Sequence, residues 1–255
     1  MNKVLITGGT SGIGYELARQ FAREGYAVCI VSSSEQRLLD AKTRLEREFA
    51  IQVFPFLVDL SQEDGADRLV NQMKQEGHQI QVLVNAAGIG YIGEHVNIDS
   101  QLETEMLMLN ILTLTKLSRL CINDLIKDGE GRILNISSIG AFFPGTFCAS
   151  YYASKSYVVQ FSRALSDEVR KQGICVSVAC PGTTKTAFFE RAGGRTPVKG
   201  MTADATAQSI YRQFKKGRKV IIPGFHNKCA RWLPARLKQF GIASINKKRM
   251  RSTRS

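Results

Sequence analysis

Short apolar runs alternate with longer amphipathic stretches along most of the chain. The runs are rich in Val, Ile and Leu and are mostly bounded by Gly, Ser or Pro, as buried strands are. They lie at 3–7, 26–32, 51–58, 82–84, 131–137, 173–179 and 219–222. The stretches between them have helical periodicity, most clearly at 12–25, 100–127 and 151–170. This alternation predicts an α/β fold with a doubly wound parallel sheet, and 255 residues suffice for one large domain.

A glycine-rich turn follows the first predicted strand and opens the first predicted helix. Its spacing is G-x3-G-x-G, with Gly8, Gly12 and Gly14. A turn of this kind lets backbone amides approach a pyrophosphate, which then lies at the positive end of the helix. The turn therefore indicates a dinucleotide site, although a plain tight turn remains the alternative.

Hydroxyl and cationic side chains follow the second predicted strand. The segment contains Ser32, Ser33 and Ser34, then Arg37, and its first carboxylate is Glu35 inside the next helix. An acidic residue at this place binds the ribose 2′-hydroxyl of NAD, whereas a 2′-phosphate needs cationic or hydroxyl donors. The segment favours NADP(H) over NAD(H). Arg37 could equally be an ordinary exposed helical residue.

The third and fourth predicted strands also end in residues that suit a nucleotide. Asp59, followed by Leu60, could accept a hydrogen bond from an adenine amino group, or could contribute to the start of the next helix. The small residues at 85–88 would let a flat cofactor lie against the backbone.

Ser138 stands at the end of the fifth predicted strand, and Tyr151 and Lys155 lie one turn apart on the following helix. A nearby ammonium favours the phenolate, so we expect Lys155 to lower the pKa of Tyr151. The Ser138 hydroxyl can hold a reacting oxygen. This set suits proton transfer at a carbonyl or alcohol, with the hydride supplied by a cofactor. By itself, Tyr-x3-Lys could also be an ordinary surface pair.

Two further polar residues leave alternatives open. Asn110 lies among apolar neighbours in the helical stretch 100–127, so it is either a satisfied core amide or a functional group. Tyr152 also lies one turn from Lys155, and local spacing does not choose between it and Tyr151.

The positive charge is concentrated at the C-terminal end. The net charge is +13, and 205–255 contains 14 Lys and Arg with no Asp or Glu. We predict a catalytic domain over 1–225, with a substrate lid at about 183–205, and a basic extension over 226–255. The extension could be a solvated tail, could contact an anionic ligand, or could make a peripheral contact with an anionic membrane or nucleic acid.

Other classes of protein are disfavoured by what the sequence lacks. No apolar run approaches the ~18 residues that span a bilayer, and the N-terminal apolar run is too short for a signal peptide. We therefore expect a cytoplasmic protein. The six cysteines form no C-x-x-C pair and the three histidines are isolated, so we expect reduced thiols and no metal site.

Taken together, the motifs over about 1–225 resemble the classical short-chain dehydrogenase/reductase family in order and spacing. They are Thr7-Gly8-x3-Gly12-x-Gly14, Asp59, Asn85-Ala86-Ala87-Gly88, Asn110, Ser138, Tyr151-x3-Lys155 and Pro181-Gly182. The resemblance implies a Rossmann-type fold. It also implies that Tyr151 is the acid/base, that Lys155 lowers its pKa and holds the nicotinamide ribose, and that Ser138 and Asn110 orient the substrate oxygen and a relay water.

The resemblance and the strand ends together predict one set of cofactor-contacting residues. They are Gly8, Thr10, Ser11, Gly12, Ile13, Gly14, Ser32, Ser33, Ser34, Arg37, Asp59, Leu60, Asn85, Ala86, Ala87, Gly88, Tyr151, Lys155, Pro181, Gly182, Thr184 and Thr186. The family pattern selects Tyr151 over Tyr152. It also implies a homodimer through the helices that carry Asn110 and Tyr151. A tetramer is in doubt because the Gly/Asp-rich last strand of tetrameric members is replaced by the basic ending.

The leading hypothesis is an NADP(H)-dependent oxidoreductase that interconverts a carbonyl and a secondary alcohol. The ending of the chain is similar to that of family members acting on lipid-like or acyl carbonyls. Two alternatives are a non-catalytic NADP-binding sensor and a protein that binds an anionic surface or nucleic acid through its basic tail. The sensor would need only the glycine-rich half, and the tail contains no recognised nucleic-acid motif.

Overall fold

The computed structural model describes residues 2–127, 131–194, 199–230 and 242–247, and these form a seven-stranded parallel sheet. The strands are β1 (Lys3–Thr7), β2 (Ala27–Ser32), β3 (Val53–Leu57), β4 (Val82–Asn85), β5 (Arg132–Ile136), β6 (Cys175–Ala179) and β9 (Val220–Ile221). Their order across the sheet is β3-β2-β1-β4-β5-β6-β9. The predicted doubly wound, Rossmann-type sheet is confirmed, with several strands one or two residues shorter than the apolar runs.

The helices cover both faces of this sheet. They are α1 (Gly12–Arg23), α2 (Glu35–Phe49), α3 (Gly65–Gln75), α4 (Ser100–Leu107), α5 (Leu114–Lys127), α6 (Ala149–Glu168), α7 (Phe188–Arg191), α8 (Ala203–Lys215) and α9 (Phe225–Ala230). Helices α1, α2 and α8 share one buried apolar cluster, and α3, α5 and α6 share another.

The position of β1 in the sheet explains the unbroken apolar run Val4–Ile6. Val4 and Ile6 belong to the cluster of α1, α2 and α8, whereas Leu5 belongs to the opposite cluster. Side chains alternate between the two faces of a strand, and here both faces are covered by helices. A strand of this kind needs apolar residues at every position.

The stretch predicted at 100–127 is helical throughout, but its type of helix changes in the middle. Between α4 and α5, a π-helical segment covers Met108–Thr113 and contains Asn110. π-turns are rare and are often found at functional sites. The predicted helical stretch is therefore α-helical at both ends and π-helical at the turn that carries the buried Asn110.

The last part of the fold consists of shorter elements. Strands β7 (Thr184–Lys185) and β8 (Met201–Thr202) form a small parallel ladder around the predicted lid, of which 195–198 lies outside the described residues. Helix α9 crosses the predicted domain boundary at 225. Within the basic extension only 226–230 and 242–247 are described, so the division into domain and extension stays a prediction.

Membrane-spanning helices and metal-binding clusters are both absent from the described ranges. No helix in those ranges has the length and apolar content that a bilayer span requires. No group of three or more His, Cys, Asp or Glu side chains in the same ranges could hold a metal ion.

Candidate active site

A cleft of about 440 Å³ opens along the carboxyl ends of the strands. Its walls come from the loops that follow β1 to β6, together with the lid. In a parallel sheet these loops all meet at one edge, so residues far apart in sequence line the same cleft.

Most of the predicted site residues line this cleft. They are Gly8, Thr10, Ser11, Gly12, Ile13, Gly14, Ser32, Ser33, Arg37, Asp59, Leu60, Ala86, Ala87, Gly88, Ser138, Tyr151, Lys155, Pro181, Gly182, Thr184 and Thr186. Ser34, Asn85 and Asn110 do not line it.

The glycine-rich turn fits a pyrophosphate because side chains are excluded there. Gly8 has φ +66°, and a Cβ added to it would lie 2.9 Å from the Cα of Ala87. A Cβ on Gly14 would lie 2.3 Å from the Gly8 carbonyl oxygen. Ser11 precedes α1, and its hydroxyl accepts no hydrogen bond from the described backbone of that helix. Gly12, Ile13 and Gly14, the first residues of α1, line the cleft, so a phosphate bound there would lie at the N-terminal end of this helix.

At the end of β2, the three serines have different positions. Ser32 and Ser33 line the cleft together with Arg37. Ser34 instead precedes α2, and its hydroxyl accepts a hydrogen bond from the Arg37 amide at 3.5 Å. The structure therefore makes Ser34 a helix cap outside the cleft lining, and its contact with the cofactor stays a prediction.

Asp59 lies in the cleft wall as a carboxylate. Its Oδ1 accepts hydrogen bonds from the Ser61 amide at 2.9 Å and from the Ser61 hydroxyl at 2.7 Å. Burial alone would raise the pKa of Asp59, but these hydrogen bonds outweigh burial and lower it. The alternative that this segment caps α3 is not seen, because the residue before α3 is Asp64 and its side chain makes no capping bond to the described helix.

Asn85 points away from the cleft. Its Nδ2 donates to Asn135 Oδ1 at 2.9 Å and to the Ser118 hydroxyl at 3.3 Å. Asn85 and Asn135 are paired in the register of β4 and β5, and both side chains are buried. The side chain of Asn85 thus ties the sheet to α5, while its neighbours Ala86 to Gly88 line the cleft.

Ser138 and Tyr151 meet at one end of the cleft. The Ser138 hydroxyl accepts a hydrogen bond from the Gly140 amide at 3.0 Å, and a hydrogen bond joins Ser138 to Tyr151. Burial raises the pKa of Tyr151, and this hydrogen bond offsets only part of the rise. Lys155 is not among the groups that shift the pKa of Tyr151 in this structure, and the expected lowering by Lys155 stays a prediction.

Lys155 is itself desolvated beneath Tyr151. It is 5% exposed, and its Nζ donates to the Ile136 carbonyl at 3.2 Å and lies 5.7 Å from the centroid of the Tyr151 ring. Burial lowers the pKa of Lys155 to about 8. The side chain is thus held close to Tyr151 and can gain or lose its charge near neutral pH.

Asn110 lies directly behind the cleft wall. Its Oδ1 accepts from the Ile89 amide at 3.1 Å, and its Nδ2 donates to the Ile89 carbonyl at 2.9 Å and to the Ser154 hydroxyl at 3.2 Å. A Cβ on Gly88 would lie 3.1 Å from both Asn110 Oδ1 and Lys155 Nζ. Asn110 is thus a satisfied buried amide that fixes the segment beside Lys155, and the π-turn brings it there.

Tyr152 has a different environment from Tyr151. Its ring lies against Gly145, where an added Cβ would be 2.2 Å from the ring, and its centroid is 6.0 Å from that of Phe143. It lines the cleft as a packing residue, which agrees with the choice of Tyr151 as the candidate acid/base.

Three further residues of the cleft lie outside the predicted set of catalytic and cofactor-contacting residues. The ring of Phe188 lies 5.4 Å from that of Tyr151, and Arg191 extends from the same short helix, α7. Asn246 comes from the basic extension, is 2% exposed, and donates to the Thr146 carbonyl at 2.9 Å. No local motif marks Arg191 or Asn246, since each enters the cleft through folding over a long distance in sequence.

The chain is similar to known proteins in both sequence and structure. A family model described as short chain dehydrogenase matches residues 2–195. The very-long-chain 3-oxoacyl-CoA reductase of Macaca fascicularis is 31% identical over 181 residues, which are 69% of this chain and 57% of the relative. The 3-oxoacyl-(acyl-carrier-protein) reductase of Buchnera aphidicola is 30% identical over 186 residues, 73% of this chain and 75% of that protein.

A solved structure extends the similarity over most of the chain. It is the short-chain dehydrogenase from Sphingobium yanoikuyae in complex with NADPH, with a TM-score of 0.83, 30% identity, and 89% of each chain covered. This chain spans less than two thirds of the length of the very-long-chain 3-oxoacyl-CoA reductase that it matches. The family match, the sheet order and the cleft agree, and the chain belongs to the short-chain dehydrogenase/reductase family.

Proposed function

We propose that the chain is an NADP(H)-dependent oxidoreductase that interconverts a carbonyl and a secondary alcohol. The observation that carries this proposal is the meeting of Ser138, Tyr151 and Lys155 at one end of a cleft whose other end is the glycine-rich turn. The nicotinamide would supply or accept the hydride. The protein then has to bind the cofactor, orient the oxygen and move one proton.

Tyr151 would exchange that proton with the substrate oxygen. The Tyr151 phenol is protonated at neutral pH and lies where it can donate its proton to a carbonyl oxygen held beside Ser138. The Ser138 hydroxyl, already hydrogen-bonded to Tyr151, would hold the same oxygen. A protonated Lys155 would stabilise the phenolate that remains, and Asn110 would keep the wall beside Lys155 in place.

The cofactor end of the cleft supports NADP(H) over NAD(H). Ser32, Ser33 and Arg37 line the wall after β2, where an NAD-specific site would need a carboxylate. A structure at 30% identity contains NADPH, which is consistent with this choice.

An acyl carbonyl is the substrate class that fits best. The wall near Tyr151 is largely apolar, with Tyr91, Ile92, Tyr152, Phe188 and Phe189. Two of the relatives are 3-oxoacyl reductases, one of a CoA thioester and one of a carrier-protein thioester. We infer reduction of a 3-oxoacyl thioester to the 3-hydroxyacyl product. Loss of NADPH absorbance with 3-oxoacyl-CoA thioesters of increasing chain length tests this, and no loss with any of them would refute it.

The sensor alternative is not favoured, because a sensor has no use for Ser138, Tyr151 and Lys155 assembled together. We also propose a homodimer through α4, α5 and α6, the helices around Asn110 and Tyr151. Supporting this, Leu102 on α4 and Tyr157 on α6 are exposed at 40% and 39%, and Leu112 on the π-helical segment between α4 and α5 is exposed at 54%. Cytoplasmic location stays a prediction, as does anionic-surface contact through the tail, most of which lies outside the described residues.

The pH dependence of reduction should report on Lys155. We expect kcat/KM to be constant at neutral pH and to fall as pH rises through about 8, where Lys155 loses the charge that stabilises the developing phenolate. The measurement is a pH profile of NADPH oxidation. Lys155→Arg keeps a cation and should lose this alkaline limb even if its rate is lower. A wild-type profile that stays flat well above pH 8 would contradict this role.

Asn246 should matter for substrate rather than cofactor. Asn246→Ala leaves the Thr146 carbonyl without its donor at the tyrosine end of the cleft, at a cost of about 1–3 kcal/mol in local order. We expect a raised KM for the carbonyl substrate and an unchanged Kd for NADPH. Ile245→Ala is the matched control, because Ile245 is 51% exposed in the same segment. Equal effects of the two substitutions would mean that Asn246 has no specific role.

A further inference from the structure

Helix α7 lies along the cleft and presents two side chains to it. Phe188 and Arg191 are three residues apart, so they lie on the same side of this short helix. Phe188 packs on Tyr151, and both Phe188 and Arg191 line the cleft. This one turn of the lid therefore contacts the catalytic end of the cleft through Phe188 and presents a cation to the cleft through Arg191.

The lid around α7 is attached at both of its sides. The Ile92 amide donates to the Ala192 carbonyl at 3.1 Å, which ties the end of α7 to the loop after β4. Before α7, the Thr186 methyl carbon lies 3.3 Å from where a Cβ on Gly12 would be. The lid thus passes against the glycine-rich turn, and α7 is held over the phosphate side of the cleft.

Arg191 and Arg37 line the same cleft from two different elements, α7 and α2. Arg37, at the start of α2, lines the same cleft, and neither guanidinium makes an ion pair or hydrogen bond among the residues that the structure describes. Burial and repulsion by Arg37 lower the pKa of Arg191. Two like charges placed together without an acidic partner are unfavourable, and an anion held between them would remove the repulsion.

We propose that Arg191 and Arg37 together bind the 2′-phosphate of NADP(H), so that this phosphate holds the lid over the cleft. The inference rests on the proposed function, since it assumes that the cleft binds the dinucleotide. A phosphate monoester carries nearly two negative charges at neutral pH and accepts bidentate hydrogen bonds from guanidinium groups. Ser32 and Ser33 stand beside Arg37 and would add hydroxyl donors.

The consequence is that part of the cofactor preference lies on the lid. NADPH would bridge Arg37 on the sheet side and Arg191 on α7, and Phe188 would be held on Tyr151 at the same time. NADH has no 2′-phosphate and would leave the two cations without an anion between them. Binding of the 2′-phosphate would then both select NADPH and close the substrate end of the cleft.

The same phosphate chemistry could come from a second source, the phosphates of a CoA thioester. The cofactor is favoured because Arg37 and the two serines follow β2, on the opposite side of the glycine-rich turn from Tyr151. The two sources are separated by titrating 2′,5′-ADP, which carries the cofactor's 2′-phosphate, and free CoA.

The test is calorimetric titration of the full chain and its variants with NADPH, NADH, 2′,5′-ADP and CoA. We expect Arg191→Gln to weaken NADPH and 2′,5′-ADP by about 10- to 100-fold, as for loss of a charged hydrogen bond, with NADH unchanged. Lys199→Gln, which removes an exposed lid cation that does not line the cleft, should change none of them. NADPH should also slow tryptic cleavage of the wild-type lid more than NADH does.

Three results would overturn the inference. They are an equal loss of NADPH and NADH affinity in Arg191→Gln, no loss of either, and a loss confined to CoA, which would assign Arg191 to the substrate. A wild-type chain that bound neither dinucleotide would refute the proposed function itself, and that result is distinct from the other three.

Discussion

Tyr151→Phe is expected to lower kcat for carbonyl reduction by about 10²- to 10⁴-fold, the usual contribution of a positioned general acid. The substitution removes the proton that Tyr151 donates and keeps the ring that packs on Phe188. The Kd for NADPH should stay unchanged, because the ring and Lys155 remain. Steady-state kinetics and a binding titration on the same preparation measure both quantities.

Tyr152→Phe is the matched control for this prediction. It removes a hydroxyl from the adjacent tyrosine and preserves the ring that packs against Gly145 and Phe143. It should retain most of the wild-type kcat. If Tyr152→Phe were the more damaging substitution, the assignment of the acid/base to Tyr151 would be wrong.

Ser33→Asp is expected to reverse the cofactor preference from NADPH to NADH. The new carboxylate would stand in the cleft wall after β2, where it repels a 2′-phosphate and accepts a hydrogen bond from a 2′-hydroxyl. Like charges in contact cost several kcal/mol, so NADPH should lose about 10²-fold or more in kcat/KM. The measurement is kcat/KM for both cofactors with one substrate.

Ser34→Asp supplies the same charge one residue away. Ser34 caps α2 and lies outside the cleft, and Asp is also a good helix cap. This variant should fold normally and keep the preference for NADPH. A reversal by Ser34→Asp as large as that by Ser33→Asp would show that general charge, not the position in the cleft wall, sets the preference.

The sheet could be predicted because its strands are buried on both faces. In β1, Val4 and Ile6 are buried on one face and Leu5 on the other, so the strand needs apolar residues on both faces. The resulting apolar run can be recognised in the sequence without any tertiary information. The glycine-rich turn was also predictable. Gly8 and Gly14 are required by local close approach, so the motif and its spacing carry the geometry.

The side-chain directions at the strand ends were less predictable. Ser34 and Asn85 were both expected at the cofactor, but one caps a helix and the other bonds to Asn135 across the sheet. Both outcomes depend on partners that a motif does not specify. The π-helical segment at Asn110 was also not predicted. Its buried amide bonds to the backbone of Ile89, a partner that the local sequence does not specify.

The pKa shifts of Tyr151 and Lys155 could not be predicted from the sequence alone, because they depend on burial in the folded protein. Spacing alone placed Lys155 one turn from Tyr151 and indicated a lowered pKa for the phenol, whereas burial of both groups moves each toward its neutral form. Arg191 and Asn246 were likewise beyond local reasoning. Asn246 bonds to Thr146, 100 positions away in sequence, and Arg191 lines the same cleft as the distant Arg37.

Transfer of deuterium from the cofactor tests the central proposal most directly. The wild-type chain would be incubated with a 3-oxoacyl-CoA thioester and NADPH carrying deuterium at the reactive position of nicotinamide C4, and the product analysed by mass spectrometry. We predict a 3-hydroxyacyl product with one deuterium on the carbinol carbon, formed by the wild type and Tyr152→Phe but barely by Tyr151→Phe. If the wild-type protein bound NADPH but transferred no deuterium to any carbonyl substrate, that result would contradict the proposal.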